Sequence, residues 1–267
     1  MELTDNLKFL DDTIKSAGDV LMSFYDRDDL EVTQKEDDSL VTAADLASEK
    51  HILEKISKSF PKDKVYAEES GLSSKDRKEG SFIWIIDPLD GTSNFSNGYP
   101  FFCVSVGRGV FQKDGSIKIV LAGVYDPIKK ESFLAQLGGG AWCNGKPMKV
   151  RKDRPPEQGF IVTGFSYHKG PELKKDIERF LNVADVCQSI RRDGAAALDL
   201  AYVAKGIYDG YWEFGLRPWD IAAGSLLVTE AGGYVYDPHP GAKHFDPESE
   251  GILCGNRSMS EYLRGRM

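Results

Sequence analysis

Little in this chain suits it to a membrane, a disulfide framework or a nucleic-acid backbone. Its 267 residues hold no apolar run of membrane-spanning length. The N-terminus, Met1-Glu2-Leu3-Thr4-Asp5, is acidic and polar and lacks the basic and apolar segments of a signal peptide. Cys103, Cys143, Cys187 and Cys254 are scattered without C-x-x-C spacing, so they read as free thiols of a reducing compartment rather than a zinc or disulfide set. A cytoplasmic location is the expectation. His51, His168, His239 and His244 form no ligand pattern. Positive charge is scarce: 34 Lys and Arg face 42 Asp and Glu, a net charge of −8. That argues against direct nucleic-acid contact, which is driven by basic patches. It also means that an anionic ligand needs local help, because the global field repels it.

What is present is the balance of a soluble globular protein, 41% hydrophobic and 28% charged. The length allows one large α/β domain or two smaller ones. The chain is organised around Trp84-Ile85-Ile86-Asp87-Pro88-Leu89-Asp90-Gly91-Thr92-Ser93-Asn94-Phe95. Residues 82–86 are apolar or aromatic without alternation, as expected of a strand covered on both faces. Asp87 is expected where that strand leaves the core. Pro88 stiffens the turn and has no N–H to satisfy. Gly91 lets the backbone approach a ligand, and Thr92, Ser93 and Asn94 can start a short helix with free N–H groups. Two carboxylates held together repel, so one takes a proton or a cation sits between them. Carboxylates and a backbone carbonyl, with Leu89 the candidate, suit a hard ion such as Mg²⁺. A metal beside N–H groups makes a phosphate site, which points to metal-assisted phosphoryl chemistry. The competing reading is an ordinary Asp-Pro-x-Asp-Gly turn between a strand and a helix.

Taken in order, the chain alternates helices and strands. Leu7, Leu10, Ile14, Ala17, Leu21 and Phe24 predict an amphipathic helix over residues 4–26. Residues 26–40 are polar and charged, an exposed mobile loop by composition. A second helix is predicted over 44–60, ending before Pro61, with Asp45 in its first turn; complementing the helix dipole is the simplest role for Asp45. Val65-Tyr66-Ala67 leads into Glu68-Glu69-Ser70-Gly71 and repeats the pattern of a strand ending in acids. Residues 101–111, 117–125 and 131–137 read as antiparallel strands. Gly140 to Lys146 fits G-x₄-G-K, but Pro147 replaces the hydroxyl residue of a phosphate loop, and Asn144-Gly145 is better read as a hairpin turn. The polar stretch 152–158, with Pro155-Pro156, is the expected boundary between an N-terminal half, 1–152, and a C-terminal half, 153–267. Beyond it, strands are predicted at 160–165, 187–190, 208–214, 234–236 and 251–254. Helices are predicted at 171–181, at 195–205 from Asp193 or Gly194, from Arg217 to Glu230, and at the C-terminus. Capping is the simplest role for Asp220.

Three segments then combine. Ala67-Glu68-Glu69-Ser70, Asp87-Pro88-Leu89-Asp90-Gly91-Thr92-Ser93-Asn94-Phe95 and Trp219-Asp220-Ile221-Ala222-Ala223-Gly224 resemble the signature of the inositol monophosphatase family, and Lys35, Leu40-Val41-Thr42 and Asp45 extend the match over nearly the whole chain. The resemblance implies a layered α/β fold of alternating helix and sheet layers, αβαβα, usually as a homodimer. It implies a Mg²⁺-dependent, Li⁺-sensitive phosphatase of a small polyol or sugar phosphate, with myo-inositol 1-phosphate as the leading substrate. Sister branches cleave fructose 1,6-bisphosphate, histidinol phosphate or 3′-phosphoadenosine nucleotides, and some bacterial relatives act on transcription machinery. By the same resemblance, Glu68, Asp87 and the Leu89 carbonyl hold one ion, Asp87, Asp90 and Asp220 a second, and Glu68 with waters a weaker third. Asp45 bonds Thr92, and Thr92 with Glu68 positions the attacking water. Gly91 and Thr92 N–H groups take phosphate oxygens, while Gly194, Ala195, Ala196 and Glu213 face the alcohol. Relatives often carry Thr or Ser at the position of Ala195, so a hydroxyl contact there is lost and a backbone contact is not.

Overall fold

The computed structural model describes residues 4–25, 32–34, 40–166, 170–239, 241–242 and 244–267. Lys35, most of the charged stretch between 26 and 40, and His168 lie outside the described residues. Helix α1 (Asp5–Met22) starts at Thr4, whose hydroxyl accepts from Leu7 N. Strands β1 (Val32–Gln34) and β2 (Leu40–Thr42) pair antiparallel, so part of the stretch expected as loop is strand. Helix α2 (Ala43–Ser59) follows directly. Then come β3 (Lys64–Ala67), β4 (Gly71–Leu72), β5 (Phe82–Asp90) and the short α3 (Thr92–Ser96). A meander follows: β6 (Cys103–Phe111), β7 (Ile117–Asp126), β8 (Glu131–Gln136), β9 (Gly140–Cys143) and β10 (Lys146–Pro147). Asn144 and Gly145 make the turn between the last two with φ of 47° and 76°, the conformation an Asn-Gly hairpin favours.

After residue 147 the chain builds a second sheet from β11 (Phe160–Thr163), helix α4 (Pro171–Ala184), β12 (Ser189–Arg191), helix α5 (Ala196–Ala204) and β13 (Gly210–Phe214). Helix α6 (Pro218–Glu230), β14 (Tyr234–Tyr236), β15 (Gly251–Gly255) and helix α7 (Arg257–Arg264) complete it. The first sheet has eight strands in the order β10-β9-β8-β7-β6-β5-β3-β4, and the second has five in the order β12-β11-β13-β15-β14. Both mix parallel and antiparallel pairs.

Strand alternation sorts the side chains into layers. On β5, Trp84 and Ile86 face α1 and α2, where they meet Leu10, Ile14 and Ile52. Ile83 and Ile85 face the other way, toward Ala197, Ala201 and Ala222 of α5 and α6. Those two helices are shared, because Val162, Tyr211 and Cys254 of the second sheet pack on them too. Ile161, Trp212 and Leu253 point outward onto Val183 of α4 and Met259 and Leu263 of α7. The result is helix, sheet, helix, sheet, helix, the layered α/β fold expected. Each fully buried Leu, Ile or Phe contributes about 1.5–3 kcal/mol relative to exposure. The small residues of α5 are explained by this position, since it is buried on both sides.

Two buried ion pairs brace the layers. Arg108 donates from Nε to Asp63 Oδ2 at 2.8 Å and from Nη2 at 2.7 Å, while Trp84 Nε1 donates to the same oxygen at 3.0 Å. Its guanidinium lies 4.0 Å from the Phe82 ring centre. Arg154, in the polar stretch between the sheets, binds both oxygens of the fully buried Asp209. Asp209 also accepts from Phe160 N at 2.9 Å and Asn256 Nδ2 at 3.1 Å. No helix among the described residues is long and apolar enough to cross a membrane. All four cysteines are buried and free.

Candidate active site

Strand β5 does not end at Asp87 as expected. It continues to Asp90 with both carboxylates buried, and its register against β6 shifts between Asp87 and Asp90. Pro88 is the cause: it offers no N–H to the ladder, so the chain bulges there without leaving the sheet. The bulge is tied down locally. Leu89 N donates to Asp87 Oδ1 at 3.0 Å, and the buried Ser48 of α2 donates to the Pro88 carbonyl at 2.8 Å. Gly91 follows with φ of 96°; a Cβ there would stand 3.0 Å from the Phe101 carbonyl and 3.2 Å from Ala195 Cβ. Only glycine turns the chain into α3 at that point.

Asp90 reaches across to the second half. Its Oδ1 accepts from Ala196 N at 3.2 Å and its Oδ2 from Ala197 N at 2.6 Å. The N-cap of α5 is Ala195, one residue beyond Gly194 and two beyond Asp193, the two expected starts, and it has no side chain able to cap. Asp90 takes that place. The first N–H groups of α5, expected to be available to a ligand, are therefore paired with a carboxylate of the same chain. Gly194 borders the cavity, whereas Ala195 and Ala196 are buried behind it. Asn94 adds a second link, donating from Nδ2 to the Phe101 carbonyl at 2.7 Å and to the Asp193 carbonyl at 2.9 Å.

Asp45 has two structural tasks at once. Its Oδ2 accepts from Thr42 N at 2.8 Å and Thr42 Oγ1 at 2.6 Å, closing a capping box at the start of α2. Its Oδ1 accepts from Thr92 Oγ1 at 3.0 Å. Thr92 Oγ1 is also 3.1 Å from the Leu89 carbonyl, and its single proton serves one acceptor or the other. Asp220 likewise caps its own helix, accepting from Arg217 N at 2.7 Å, and still borders the cavity. On β13, Glu213 Oε2 accepts from Tyr211 Oη at 2.5 Å; the two are neighbours on one face of the strand.

Glu68, Asp87, Leu89, Asp90, Gly91, Thr92, Gly194, Glu213 and Asp220 line a single cavity of about 380 Å³. Asp45 stands behind Thr92 and does not face the cavity. Leu40, Ser93, Phe165, Ser166, Phe214, Gly215, Leu216, Arg217 and Trp219 complete the wall. The tyrosine that holds Glu213 was not singled out by motif. Its signal was the spacing of two on a strand, which places Tyr211 beside Glu213.

The charges in this cavity oppose one another. Burial, and then Glu68, Asp90 and Asp220 nearby, push the Asp87 carboxyl well above the usual carboxylate range. Burial raises Asp90 to about 7 despite the Ala197 and Ala196 N–H groups, with Glu213 and Glu68 adding to the rise. Burial is also the main cause that lifts Glu213 to about 7, against the Tyr211 hydrogen bond, and it raises Asp45. Among the described residues, no three His, Cys, Asp or Glu side chains stand as a ready metal cluster. The donor set nevertheless fits a hard divalent cation. It is all oxygen, it includes the Leu89 carbonyl, and its acids resist ionising together unless positive charge joins them.

The sequence model of the inositol monophosphatase family matches residues 2–266. An inositol monophosphatase of Dictyostelium discoideum is 36% identical over 254 residues, covering 94% of this chain and 91% of that protein. The Nus factor SuhB of Pasteurella multocida (strain Pm70) is 42% identical over 224 residues, 84% of this chain and 81% of that one. The crystal structure of the extragenic suppressor protein suhB from Bartonella henselae superposes with a TM-score of 0.88 at 37% identity, covering 98% of both chains. With five layers, an acid-lined bulge at the end of β5 and a match across almost every residue, the chain belongs to the inositol monophosphatase family.

Proposed function

We propose that this chain is a Mg²⁺-dependent phosphomonoesterase of a small polyol or sugar monophosphate, with myo-inositol 1-phosphate the first substrate to test. The observation that carries the reading is the convergence of Glu68, Asp87, Asp90 and Asp220 with the Leu89 carbonyl on one cavity. Glu68, Asp87 and the Leu89 carbonyl would hold one ion, Asp87, Asp90 and Asp220 a second, and Glu68 with waters a weaker third. When bound, Mg²⁺ supplies the positive charge that activates water and stabilises the leaving oxygen in phosphoryl transfer.

The chain's own groups do the rest. Thr92, with its hydroxyl proton on Asp45, turns an acceptor lone pair toward the attacking water and, with Glu68, positions it. The N–H groups of Gly91 and Thr92 meet phosphate oxygens and spread their charge. Glu213 accepts a hydroxyl of the alcohol, and Gly194 forms the adjoining wall; Ala195 is the N-cap of α5, and Ala196 with Ala197 seats Asp90 through backbone N–H groups. Residues 1–152 and 153–267 work as one catalytic unit, a view supported by the core that α5 and α6 share with both sheets. A homodimer is part of the same reading, supported by Ile177 and Leu181 of α4, which are 43% and 55% exposed.

A second reading rests on the name Nus factor carried by the Pasteurella relative: a regulatory role through a protein partner of the transcription machinery. One experiment separates the two. Phosphate release is measured on inositol 1-phosphate, fructose 1,6-bisphosphate, histidinol phosphate and 3′-phosphoadenosine 5′-phosphate, with Mg²⁺, with EDTA and with added Li⁺. Release that needs Mg²⁺ and is strongest on inositol 1-phosphate supports the enzyme and its substrate. A stronger response to a bisphosphate moves the chain to a sister activity. No release by folded, Mg²⁺-loaded protein, with an Asp90→Asn form still complementing a gene deletion, supports the regulatory role.

A further inference from the structure

Glu213 is held by two features that neither a motif nor the resemblance supplies. The first is Tyr211. Its ring is fully buried between the second sheet and α5, and its hydroxyl donates to Glu213 Oε2 at 2.5 Å. Burial pushes the phenol well above its ordinary range, so it remains a donor at any working pH. The second is the bare backbone at Gly164. Strand β11 runs parallel to β13, pairing Val162 with Tyr211 and Thr163 with Trp212. The Thr163 hydroxyl donates to the Trp212 carbonyl at 2.8 Å and locks that register. One residue on, Gly164 stands beside Glu213. A Cβ at Gly164 would lie 2.0 Å from Glu213 Oε2 and 2.1 Å from Oε1, far inside contact distance.

We propose that Gly164 and Tyr211 are positioning residues that fix the Glu213 carboxylate at the cavity wall and thereby set the preference for a leaving group that carries hydroxyls. The inference rests on the phosphatase reading above and names which of its residues select the alcohol. Tyr211 engages Oε2, and Oε1 accepts no hydrogen bond among the described residues, so it is the atom left to meet a substrate hydroxyl. A methyl group at residue 164 displaces that carboxylate. The displaced group is the free end of a flexible side chain, so the fold absorbs the change. The buried ring of Tyr211 cannot follow it. Position is lost while stability is kept, which separates this role from ordinary packing. A site built to bond a hydroxyl discriminates strongly against an analogue lacking it, and that discrimination depends on where the acceptor stands.

The test compares myo-inositol 1-phosphate with cyclohexyl phosphate, which has the same ring without hydroxyls. Gly164→Ala is expected to raise KM for inositol 1-phosphate roughly tenfold, to leave kcat within about threefold, and to leave cyclohexyl phosphate nearly unchanged. Tyr211→Phe is expected to shift the same ratio in the same direction. In a Glu213→Ala background, Gly164→Ala should change KM less than about twofold, because the group it acts through is gone. An equal loss on both phosphates, or a Gly164→Ala effect that persists without Glu213, overturns the inference while leaving the phosphatase reading intact. If wild-type protein releases no phosphate from either, the reading as a polyol-monophosphate phosphatase fails. The positioning claim is then read from a crystal structure of Gly164→Ala: Glu213 Oε2 beyond hydrogen-bond reach of Tyr211 Oη supports it, and an intact bond overturns it.

Discussion

Ala197 donates its backbone N–H to Asp90 Oδ2 at 2.6 Å, so a carboxylate on β5 serves as the cap of a helix that begins 106 residues later. The contact places negative charge at the positive end of α5, where the helix dipole favours it. It also means that Asp90 has a structural task apart from any ion. Asp90→Asn keeps an acceptor for Ala197, and the expected outcome is loss of turnover with the melting temperature nearly retained. Asp90→Ala loses the cap as well, at a cost of about 1 kcal/mol. Phosphate release and urea unfolding on the two variants check this. Near-normal turnover of Asp90→Asn at saturating Mg²⁺ would remove Asp90 from the chemistry.

Thr92 is expected to act on rate and not on affinity. Thr92→Val removes the hydroxyl that bonds Asp45 while preserving the shape of the side chain. A kcat reduction on the order of 10²–10⁴ with little change in KM is the expected result, the range for loss of proton handling by a positioned group. Asp45→Asn should fall in the same direction and weaken the capping box of α2. Steady-state kinetics at saturating Mg²⁺ decides it, and a change confined to KM would place Thr92 in binding alone.

Two acids that are not assigned to an ion make stability depend on pH. Asp199 is 1% exposed, and its Oδ1 has no hydrogen-bond partner among the described residues. Burial, with Asp193, Glu213 and Asp90 nearby, pushes it well above the carboxylate range, and Glu213 rises to about 7. Between the ordinary carboxylate range and these raised values the folded chain binds more protons than the unfolded chain. Stability is therefore full at low pH and falls as pH rises toward and through 7, by up to about 1.4 kcal/mol per pH unit for each group. Asp199→Asn removes one share of the slope and should be more stable than wild type at pH 8 but not at pH 4. Urea melts in EDTA across that range check the sign, and a slope that rises with pH would contradict it.

The Asp63 and Arg108 pair is expected to govern stability without touching catalysis. Asp63→Ala leaves a guanidinium buried among Phe60, Phe82 and Trp84, and breaking a buried pair from one side costs about 3–5 kcal/mol. Urea unfolding should show that loss, with kcat of the remaining folded enzyme unchanged. A cost below 1 kcal/mol would mean that the aromatic cage alone holds the arginine.

The fold was legible where one periodicity dominates a long segment. Leu7 to Leu21 spelled α1, and the unbroken apolar run before Asp87 marked β5 as covered on both faces. The bulge at Pro88 was not legible, because the proline signals a break in hydrogen bonding and not whether the chain leaves the sheet. The start of α5 was misplaced by one or two residues for a related reason. Gly194 has the local signature of a helix start, while the cap that settles the matter is Asp90, far away in sequence. Phe165 and Ser166 of the lining carried no motif, while Glu68, Asp87, Leu89, Asp90, Gly91, Thr92, Ser93, Trp219 and Asp220 were found from three short ones. Tyr211 and Gly164 were not, since a phenol and a missing side chain gain meaning only once β11 and β13 lie side by side.

That long reach has a kinetic consequence. The bonds from Asp90 to Ala196 and Ala197 close more than a hundred residues of chain, and the acids come from both sheets. Contacts of such separation form late, after the entropy of closing the intervening chain has been overcome. Refolding protein should recover the fluorescence change of the buried Trp84 before it recovers turnover. A nascent chain that has emerged only as far as β10 carries Glu68, Asp87 and Asp90 but lacks the helix that seats the last of them. Catalytic competence is thus expected at the end of assembly, and an ion bound in this pocket would select chains that have finished folding.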